Sequence, residues 1–331
     1  MTHYARAIRI GRLTVVAQGQ PDGEGGLANR LSARGYQVHR TPHFVVCHHP
    51  AKHSRFILHR FSETTVDEDV PSFVVDELAP IGAIASEQEF GKALFAIVAS
   101  TSPASLNCAE CGRLHLDNPA IWHHYCLNTL RRLRLESRSN DSDGSASHVS
   151  QFAMIYQRTA EQRIGRTMLD VGSNLGLLIL IAERDTDAMI TGCDNRLDIM
   201  RQATALASRL DVGRVRFEVR DVLRPEFRTI GRFDTVTAIH LLEHFTNDEI
   251  EVALENMLDA TSRRLIVAVP YEHSAQALFG HRQAFDEDSL RTWGAWCMEE
   301  LGADSVSYDD VCGGFLVVNR SHLSPKHSFA E

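Results

Sequence analysis

One segment, residues 168–176 with the sequence MLDVGSNLG, constrains the fold of this chain more than any other. An apolar run typical of a β-strand passes into a glycine-bearing turn and then directly into an apolar helical pattern. Glycine permits a positive φ and brings the backbone close to a ligand without a clash from a Cβ atom. Turns of this kind also serve as plain connections and as dinucleotide-binding loops, so the segment alone leaves its role open.

Short apolar strands alternate with helical patterns through the second half of the chain, an order typical of a parallel sheet covered on both faces. Residues 305–308 and 315–318 flank a Gly-Gly pair, and their spacing predicts a closing antiparallel strand pair. We therefore expect an α/β, doubly wound, Rossmann-like sheet. Its other predicted strands are 167–171, 188–193, 215–219, 233–239 and 265–269.

The first half of the chain has a mixed pattern that predicts a smaller α+β domain over residues 1–136. Its predicted strands include a short apolar run at 73–75, and a helix is expected at 121–135. Residues 137–150 (SRSNDSDGSASHVS) contain one large apolar side chain and cannot contribute much to a core, so we interpret them as a linker or exposed loop. The doubly wound domain then occupies 151–331.

Three acidic residues follow the first three strands of this predicted sheet. Asp170 lies at the end of the first, Asp194 ends the second, and Asp221 follows the third. Carboxyl ends of parallel strands form the ligand-binding edge of such sheets. Asp194 is placed to bind ribose hydroxyls, and Asp221 is placed to accept a hydrogen bond from an exocyclic amine. Surface loop acids without a ligand are the alternative interpretation.

These features, together with residues 233–245 (FDTVTAIHLLEHF), resemble the class I S-adenosylmethionine-dependent methyltransferases, above all those of the ubiquinone and menaquinone pathways. The resemblance covers about 151–320 and implies a seven-stranded sheet whose last strand is antiparallel. It also implies S-adenosylmethionine as the cofactor. The residues that it implies for the cofactor are Asp170 and Gly172 at the methionine end, Asp194 with Asn195 at the ribose, Asp221 with Val222 at the adenine, and His240 near the methionine portion.

The glycine loop departs from the family pattern at one position. Ser173 and Gly176 fit the loop, but Asn174 stands where the family has its middle glycine. Asparagine tolerates left-handed conformations better than most residues, so we expect the loop to form and to contact the cofactor. The substitution and the three acids both disfavour a pyrophosphate, which makes an NAD-dependent oxidoreductase the less favoured alternative.

The catalytic prediction concerns an oxygen acceptor, whose proton must be removed or whose charge must be stabilised. Candidate bases are His240, Glu243, His244 and His281. Of these we predict His281, His244 and Glu243 as catalytic residues, with His281 favoured. Glu243 and His244 have a plainer interpretation, in which they cap or line a turn. A non-catalytic protein that only binds the cofactor is the alternative function.

Metal binding is not predicted for the catalytic domain, because the sequence shows no compact set of oxygen ligands for an octahedral cation. In the first half, Cys108 and Cys111 have the spacing of half a zinc site, with His115, His123, His124 and Cys126 as irregular further candidates. Buried thiols and surface histidines are the plainer interpretation of that region.

A narrower resemblance concerns the acceptor. The N-terminal half, the Leu-Glu-His triplet and residues 280–286 (GHRQAFD) are similar to methyltransferases associated with mycofactocin, which methylate its oligosaccharide. This resemblance implies a glycan hydroxyl as acceptor, with a small-molecule hydroxyl as the broader expectation.

Charge and composition limit the partners of the protein. The formal net charge of -9 disfavours nucleic acid and anionic membranes as partners, since both require a dominant positive field. No apolar run approaches the length of a membrane-spanning helix, and no secretory signal is visible. Seven scattered cysteines suit a reducing compartment, so we expect a cytoplasmic protein.

Overall fold

The computed structural model describes residues 6–18, 26–103, 119–137, 147–182 and 187–320. Within it the chain forms two compact units. The first comprises Met1–Ser150 together with Ala277–Gly280, and the second comprises Gln151–Gln276 together with His281–Glu331. Among the helices described, none combines the length and the apolar character that a membrane-spanning segment requires.

The first unit is built on a five-stranded sheet with the order β1-β2-β5-β4-β3. The β2–β5 pair is parallel and the other pairs are antiparallel. Its elements are β1 (Ala7–Ile10), β2 (Leu13–Ala17), α1 (Leu27–Ser32), β3 (Gln37–Arg40), β4 (Phe44–His49), β5 (Ser54–His59), α2 (Val70–Leu78), α3 (Glu87–Thr101) and α4 (Pro119–Glu136).

Two features of the first unit differ from the sequence-based expectation. The strand expected at 73–75 is wrong: these residues lie in α2, where Val70, Val74 and Leu78 recur at helical spacing and are fully buried. A three-residue apolar run has no periodicity of its own, so it cannot distinguish a strand from a buried helix face. The edge strands β1 and β3 were not predicted, because edge positions need few apolar side chains.

The second unit contains a seven-stranded sheet with the order β11-β12-β10-β9-β6-β7-β8, which confirms the doubly wound α/β fold. Strand β12 is antiparallel to both of its neighbours, as expected for the last strand. Its elements are α5 (His148–Gln162), β6 (Thr167–Val171), α6 (Leu177–Ala182), β7 (Met189–Asp194), α7 (Leu197–Arg209), β8 (Val215–Val219), β9 (Phe233–Ile239), α8 (Asn247–Ala260), β10 (Thr261–Val269), α9 (Glu287–Glu299), β11 (Ser305–Asp310) and β12 (Gly314–Asn319).

The predicted linker at 137–150 is partly helical. Residues 138–146 lie outside the described residues, but α5 begins at His148, and Val149 is fully buried. The backbone N–H of Val149 donates to Asp69 Oδ1 at 2.9 Å. The single large apolar residue of the segment is therefore part of a packed helix rather than of an exposed loop.

The core of the second unit explains why its central strands are apolar on both faces. Residues 265–269 of β10 are all at most 1% exposed, since helices cover both sides of the sheet. After β8 the chain returns to the other side of β6 and adds β9 there, so the strand order reverses between β6 and β9. The crevice outside the carboxyl ends of these two strands is where doubly wound sheets bind ligands.

Candidate functional site

The glycine loop after β6 has the backbone that its sequence predicts. Gly172, Asn174 and Gly176 have φ values of 72°, 47° and 76°, so Asn174 adopts the left-handed conformation in place of a glycine. A Cβ on Gly172 would lie 2.8 Å from Leu241 Cδ1, and one on Gly176 would lie 2.6 Å from Phe217 Cζ. The loop therefore needs glycine at 172 and 176 both for conformation and for space.

Ser173 lies in the middle of this loop with its hydroxyl buried. Its backbone N–H donates to Cys193 O at 2.9 Å, which ties the loop to β7. Its Oγ has no hydrogen-bond partner among the described residues. A buried hydroxyl without a partner is uncommon in a native protein and is explained when a ligand supplies one.

Asp170 is buried at the end of β6, directly opposite Thr237 of β9. Thr237 Oγ1 donates to Asp170 Oδ1 at 2.7 Å across the point where the strand order reverses. Burial raises the pKa of Asp170 to about 7, although the hydrogen bond from Thr237 opposes that shift. A cationic ligand at this position would favour the charged form of the carboxylate.

Asp194 and Asp221 lie at the ends of the next two strands. Asp194 closes β7, and its Oδ1 accepts from the backbone N–H of Arg196 at 3.0 Å. Asp221 Oδ1 accepts from the N–H of Leu223 at 3.0 Å. Asn195 is exposed, whereas Val222 is buried and its carbonyl accepts from Asn256 Nδ2 at 2.7 Å. The structure thus brings the acids to the carboxyl edge of one sheet, as the sequence predicts.

His240 begins the turn that follows β9 and is itself left-handed, with a φ of 52°. Its ring lies 5.0 Å from that of Phe152, centroid to centroid, and its Nδ1 is 3.7 Å from Glu243 Oε1. A left-handed histidine is an uncommon conformation that surrounding contacts must enforce. The next residue, Leu241, packs against Gly172, so this turn and the glycine loop are neighbours.

Glu243, His244 and His281 converge on one point. One ligand atom from each of the three lies within 4.8 Å of the other two. The backbone carbonyl of Glu243 accepts from the N–H groups of Arg282 and Gln283, at 2.7 and 3.2 Å. These bonds bring the segment after β10 against the turn after β9, which explains how residues distant in sequence meet.

The Glu243 carboxylate has unusual surroundings. Its residue is 0% exposed, and neither Oε1 nor Oε2 has a hydrogen-bond partner among the described residues. Burial raises its pKa to about 8. The His244 and His281 rings meet edge to face at 5.1 Å.

Glu272 orients His281 and was not predicted from the sequence. Both of its carboxylate oxygens lie 3.0 Å from His281 Nδ1. This contact fixes Nδ1 as the donor, so that Nε2 carries the lone pair. No sequence motif indicates the pair, because Glu272 lies in an irregular segment whose path depends on the tertiary fold. Thr237, the partner of Asp170, was missed for the same reason.

The candidate zinc ligands of the first unit are only partly described. Cys108, Cys111 and His115 lie outside the described residues. His124 Nε2 is 2.9 Å from Thr101 Oγ1, and burial lowers the pKa of His124 to about 4. Cys126 is buried. The zinc site therefore stays untested.

Comparison with known proteins identifies the second unit. Residues 168–263 match a family model described as a methyltransferase domain, a match that contains the glycine loop, the three acids and the Leu-Glu-His turn. The match identifies a methyltransferase domain within this unit. The carboxylates at the sheet edge and the unpartnered Ser173 hydroxyl fit a ligand that combines a positive charge with polar groups.

Solved structures with a similar fold include methyltransferases. A magnesium protoporphyrin IX methyltransferase from Synechocystis, with bound S-adenosylmethionine, is 17% identical, with a TM-score of 0.41 over 58% of this chain and 90% of that one. An O-methyltransferase family protein from Burkholderia thailandensis is 16% identical, with a TM-score of 0.43 over 76% of this chain and 93% of that one. None of the curated proteins matches the chain in sequence.

Proposed function

We propose that this protein transfers the methyl group of S-adenosylmethionine to a hydroxyl oxygen of a small molecule or glycan. The observation that carries the proposal is the cluster of Glu243, His244 and His281. Glu243 and His244 follow β9 and His281 follows β10, and Leu241 links the turn after β9 to the glycine loop. A hydroxyl acceptor needs groups that handle its proton, whereas a more nucleophilic acceptor does not.

The cofactor-binding residues divide by strand. We assign the methionine end to Asp170, the glycine loop of Gly172, Ser173, Asn174 and Gly176, and His240. Asp194 with Asn195 binds the ribose hydroxyls, and Asp221 with Val222 binds the adenine. Bound S-adenosylmethionine supplies a methyl group that its sulfonium already activates. The protein's task is then to hold the acceptor oxygen in line with that methyl group.

His281 is the favoured proton acceptor in this proposal. Glu272 holds its Nδ1–H, so Nε2 takes the proton of the acceptor hydroxyl as the oxygen bonds to carbon. The negative charge of Glu272 stabilises the resulting imidazolium. His244, in ring contact with His281, lines the same position.

A glycan acceptor, such as the mycofactocin oligosaccharide, is the more specific form of the proposal. Its support is the similarity of residues 280–286 and of the Leu-Glu-His triplet to the methyltransferases associated with that cofactor. This segment contains His281 and Arg282, which lie beside the proposed acceptor position.

The experiment is an assay for S-adenosylhomocysteine with glucosides, glucose oligomers and phenolic small molecules as acceptors. Methylated product identified by mass spectrometry, together with loss of turnover but not of cofactor affinity in His281→Ala, supports the proposal. Binding of S-adenosylmethionine without turnover on any hydroxyl acceptor, or turnover on amines or thiols alone, contradicts it.

A further inference from the structure

We propose that Glu243, His244 and His281 bind a divalent first-row transition-metal ion, which positions the acceptor hydroxyl beside the cofactor. The use of the ion rests on the proposed O-methylation, whereas binding of the ion does not. The sequence predicts no metal in this domain, because it shows no compact set of oxygen ligands. The structure instead assembles two imidazoles and one carboxylate.

The three ligand atoms are near enough for one ion, but the site must close when the ion binds. Three atoms bonded to one ion at about 2.1 Å lie about 3.0–3.6 Å apart. The three candidate atoms lie within 4.8 Å of one another, so a separation at that limit must shorten by about 1.2–1.8 Å. Glu272 holds the His281 ring, so we expect the half-buried His244 to move most.

The Glu243 carboxylate independently indicates a cation. The residue is 0% exposed, and its two oxygens have no hydrogen-bond partner within the described part of the chain. An isolated buried carboxylate is strongly unfavourable unless it is paired or coordinates a metal. His240 Nδ1 is 3.7 Å from Oε1, which is beyond hydrogen-bonding distance. An ion at the cluster would satisfy the buried carboxylate.

The surroundings of His281 match those of a metal-binding histidine. Metal-ligating histidines almost always donate their other ring N–H to a carboxylate or a carbonyl. Glu272 lies 3.0 Å from His281 Nδ1 through each of its oxygens. Nε2 then carries the lone pair that a metal requires. Glu272 also adds a second negative charge close to the ion.

The ligand types select the class of metal. Imidazoles suit zinc, iron, cobalt, nickel and copper, whereas Mg²⁺ and Ca²⁺ prefer oxygen ligands throughout. Two histidines and one carboxylate on one side of an ion leave open positions on the other. Those positions suit one or two oxygens of an acceptor, such as adjacent hydroxyls of a sugar or a catechol.

The ion acts on the acceptor by lowering the pKa of the hydroxyl that it binds. The oxygen then uses a lone pair to form the new C–O bond, while the S–C bond of S-adenosylmethionine breaks and leaves its electron pair on sulfur. With the ion bound, His244 and His281 use their lone pairs as ligands, so the hydroxyl proton leaves to water. The ion then replaces His281 as the group that activates the hydroxyl, and the base role proposed for His281 applies to the ion-free protein. The products are the methyl ether, S-adenosylhomocysteine and one proton.

Calorimetric titration of the full chain with Zn²⁺, Co²⁺ and Mg²⁺, after removal of metal with EDTA, tests the site. We expect one site per chain with micromolar affinity for Zn²⁺ and Co²⁺ and at least 100-fold weaker binding of Mg²⁺. Glu243→Gln, which keeps the side-chain shape, should weaken Co²⁺ binding at least 100-fold. His244→Gln should also weaken Co²⁺ binding at least 100-fold. Because His244 is less buried than Glu243, this substitution disturbs the packing less.

Matched controls are needed because the chain has 17 histidines, some of which can bind metals adventitiously. His273→Gln removes an exposed histidine beside Glu272, and Glu251→Gln removes an exposed acid on α8. Both should keep the parent affinity for Co²⁺. Equal binding in the parent and in Glu243→Gln and His244→Gln overturns the proposal, as does the absence of any one-to-one site.

S-adenosylmethionine titrations of the same proteins separate this proposal from the methyl-transfer proposal. Cofactor affinity within twofold of the parent shows that Glu243→Gln is folded, so its loss of Co²⁺ binding supports the metal site. Co²⁺ binding without turnover on hydroxyl acceptors would contradict only the proposed reaction. Turnover that resists EDTA, in a chain that binds no ion, would contradict only the metal site.

Discussion

The two halves of the carboxyl edge of the methyltransferase sheet treat their acidic residues differently. At β6, β7 and β8, each acid accepts a hydrogen bond from the protein: Asp170 from Thr237, Asp194 from Arg196 and Asp221 from Leu223. At β9, Glu243 is more deeply buried than any of these and accepts none from the described residues. The acids of the first half have hydrogen-bond donors from the protein, and the Glu243 carboxylate of the second half has none among the described residues.

This difference indicates two modes of recognition. The acids at β6–β8 are held in place by the protein, so a bound cofactor adds contacts to a preorganised frame. The backbone carbonyl of Glu243 is hydrogen-bonded, but its carboxylate has no hydrogen-bond partner among the described residues. A bound cation would therefore stabilise Glu243 more than it would stabilise the acids at β6–β8. Substitutions that remove charge should therefore weaken cofactor binding in the first half and metal binding in the second.

Asp194→Ala should give the largest effect on the cofactor half. It removes a charged acceptor for the ribose hydroxyls, and hydrogen bonds to charged groups contribute about 1.5–3 kcal/mol each. We expect calorimetry to show a 10- to 100-fold weaker affinity for S-adenosylmethionine, with Co²⁺ binding unchanged. Asp187→Ala, on an exposed acid before β7, is the control. Parent-like cofactor affinity in Asp194→Ala would remove Asp194 from the ribose site.

Glu272→Gln tests the second half through a residue that contacts the proposed metal ligand His281 and is not itself one of the three ligands. It keeps a hydrogen-bond acceptor for His281 Nδ1 but removes the charge, and loss of such partners typically costs 10- to 100-fold in metal affinity or activity. We expect about tenfold weaker Co²⁺ binding and about tenfold lower turnover, with cofactor affinity unchanged. Restoration of both by Glu272→Asp would support a positioning role. Unchanged Co²⁺ binding and turnover would show that Glu272 only stabilises the loop.

Asp170→Asn separates stability from binding within the cofactor half. The folded-state pKa of Asp170, about 7, lies above its ordinary value of 3.8, so the folded protein holds this proton more tightly than the unfolded chain. The stabilisation is complete below the unfolded value and is lost as pH rises through about 7. Cofactor-free Asp170→Asn should therefore gain several degrees in melting temperature relative to the parent between pH 4 and pH 8.

The same substitution should weaken cofactor binding at pH 8, where the asparagine cannot supply a charge. Asparagine keeps a side-chain oxygen that accepts the hydrogen bond from Thr237, so weaker cofactor binding would reflect the lost charge and not a change in the local structure. A difference in melting temperature that stays constant with pH would show that Asp170 is not protonated in the free protein.

Asn174 should give the smallest effect. Glycine adopts the φ of 47° found at this position without strain, whereas alanine in this conformation is destabilised by about 1 kcal/mol. We expect cofactor affinity within twofold of the parent for Asn174→Gly and about threefold lower for Asn174→Ala, both measured by calorimetry. A tenfold loss in Asn174→Gly would indicate that the asparagine side chain itself contacts the cofactor.

The sequence predicted the parts of this unit that depend on local pattern. Alternating apolar strands and helices gave the doubly wound sheet, and the glycine loop and its acids were placed at the correct strand ends. The left-handed Asn174 follows from the known tolerance of asparagine. The residues Glu243, His244 and His281 were named as bases, and the structure brings all three together.

The remaining features depend on contacts between distant parts of the chain. No local rule brings the segment of Arg282 to the carbonyl of Glu243, so the sequence could not show that His281 joins the Leu-Glu-His turn as a possible metal ligand. The left-handed His240 is likewise enforced by its surroundings and not by its residue type. In the first unit, α2 was mistaken for a strand because burial on one helix face was invisible in a three-residue run.

The close approach of Leu241 to Gly172 has a consequence for variation at these two positions. A methyl group on residue 172 would occupy the space of the leucine side chain, and the positive φ of Gly172 disfavours a larger residue whatever the space. Gly172 thus provides the room that Leu241 fills, so the loop that binds the donor and the turn that leads to the acceptor are packed together. Libraries that aim to alter acceptor choice should keep Gly172 and vary residue 241.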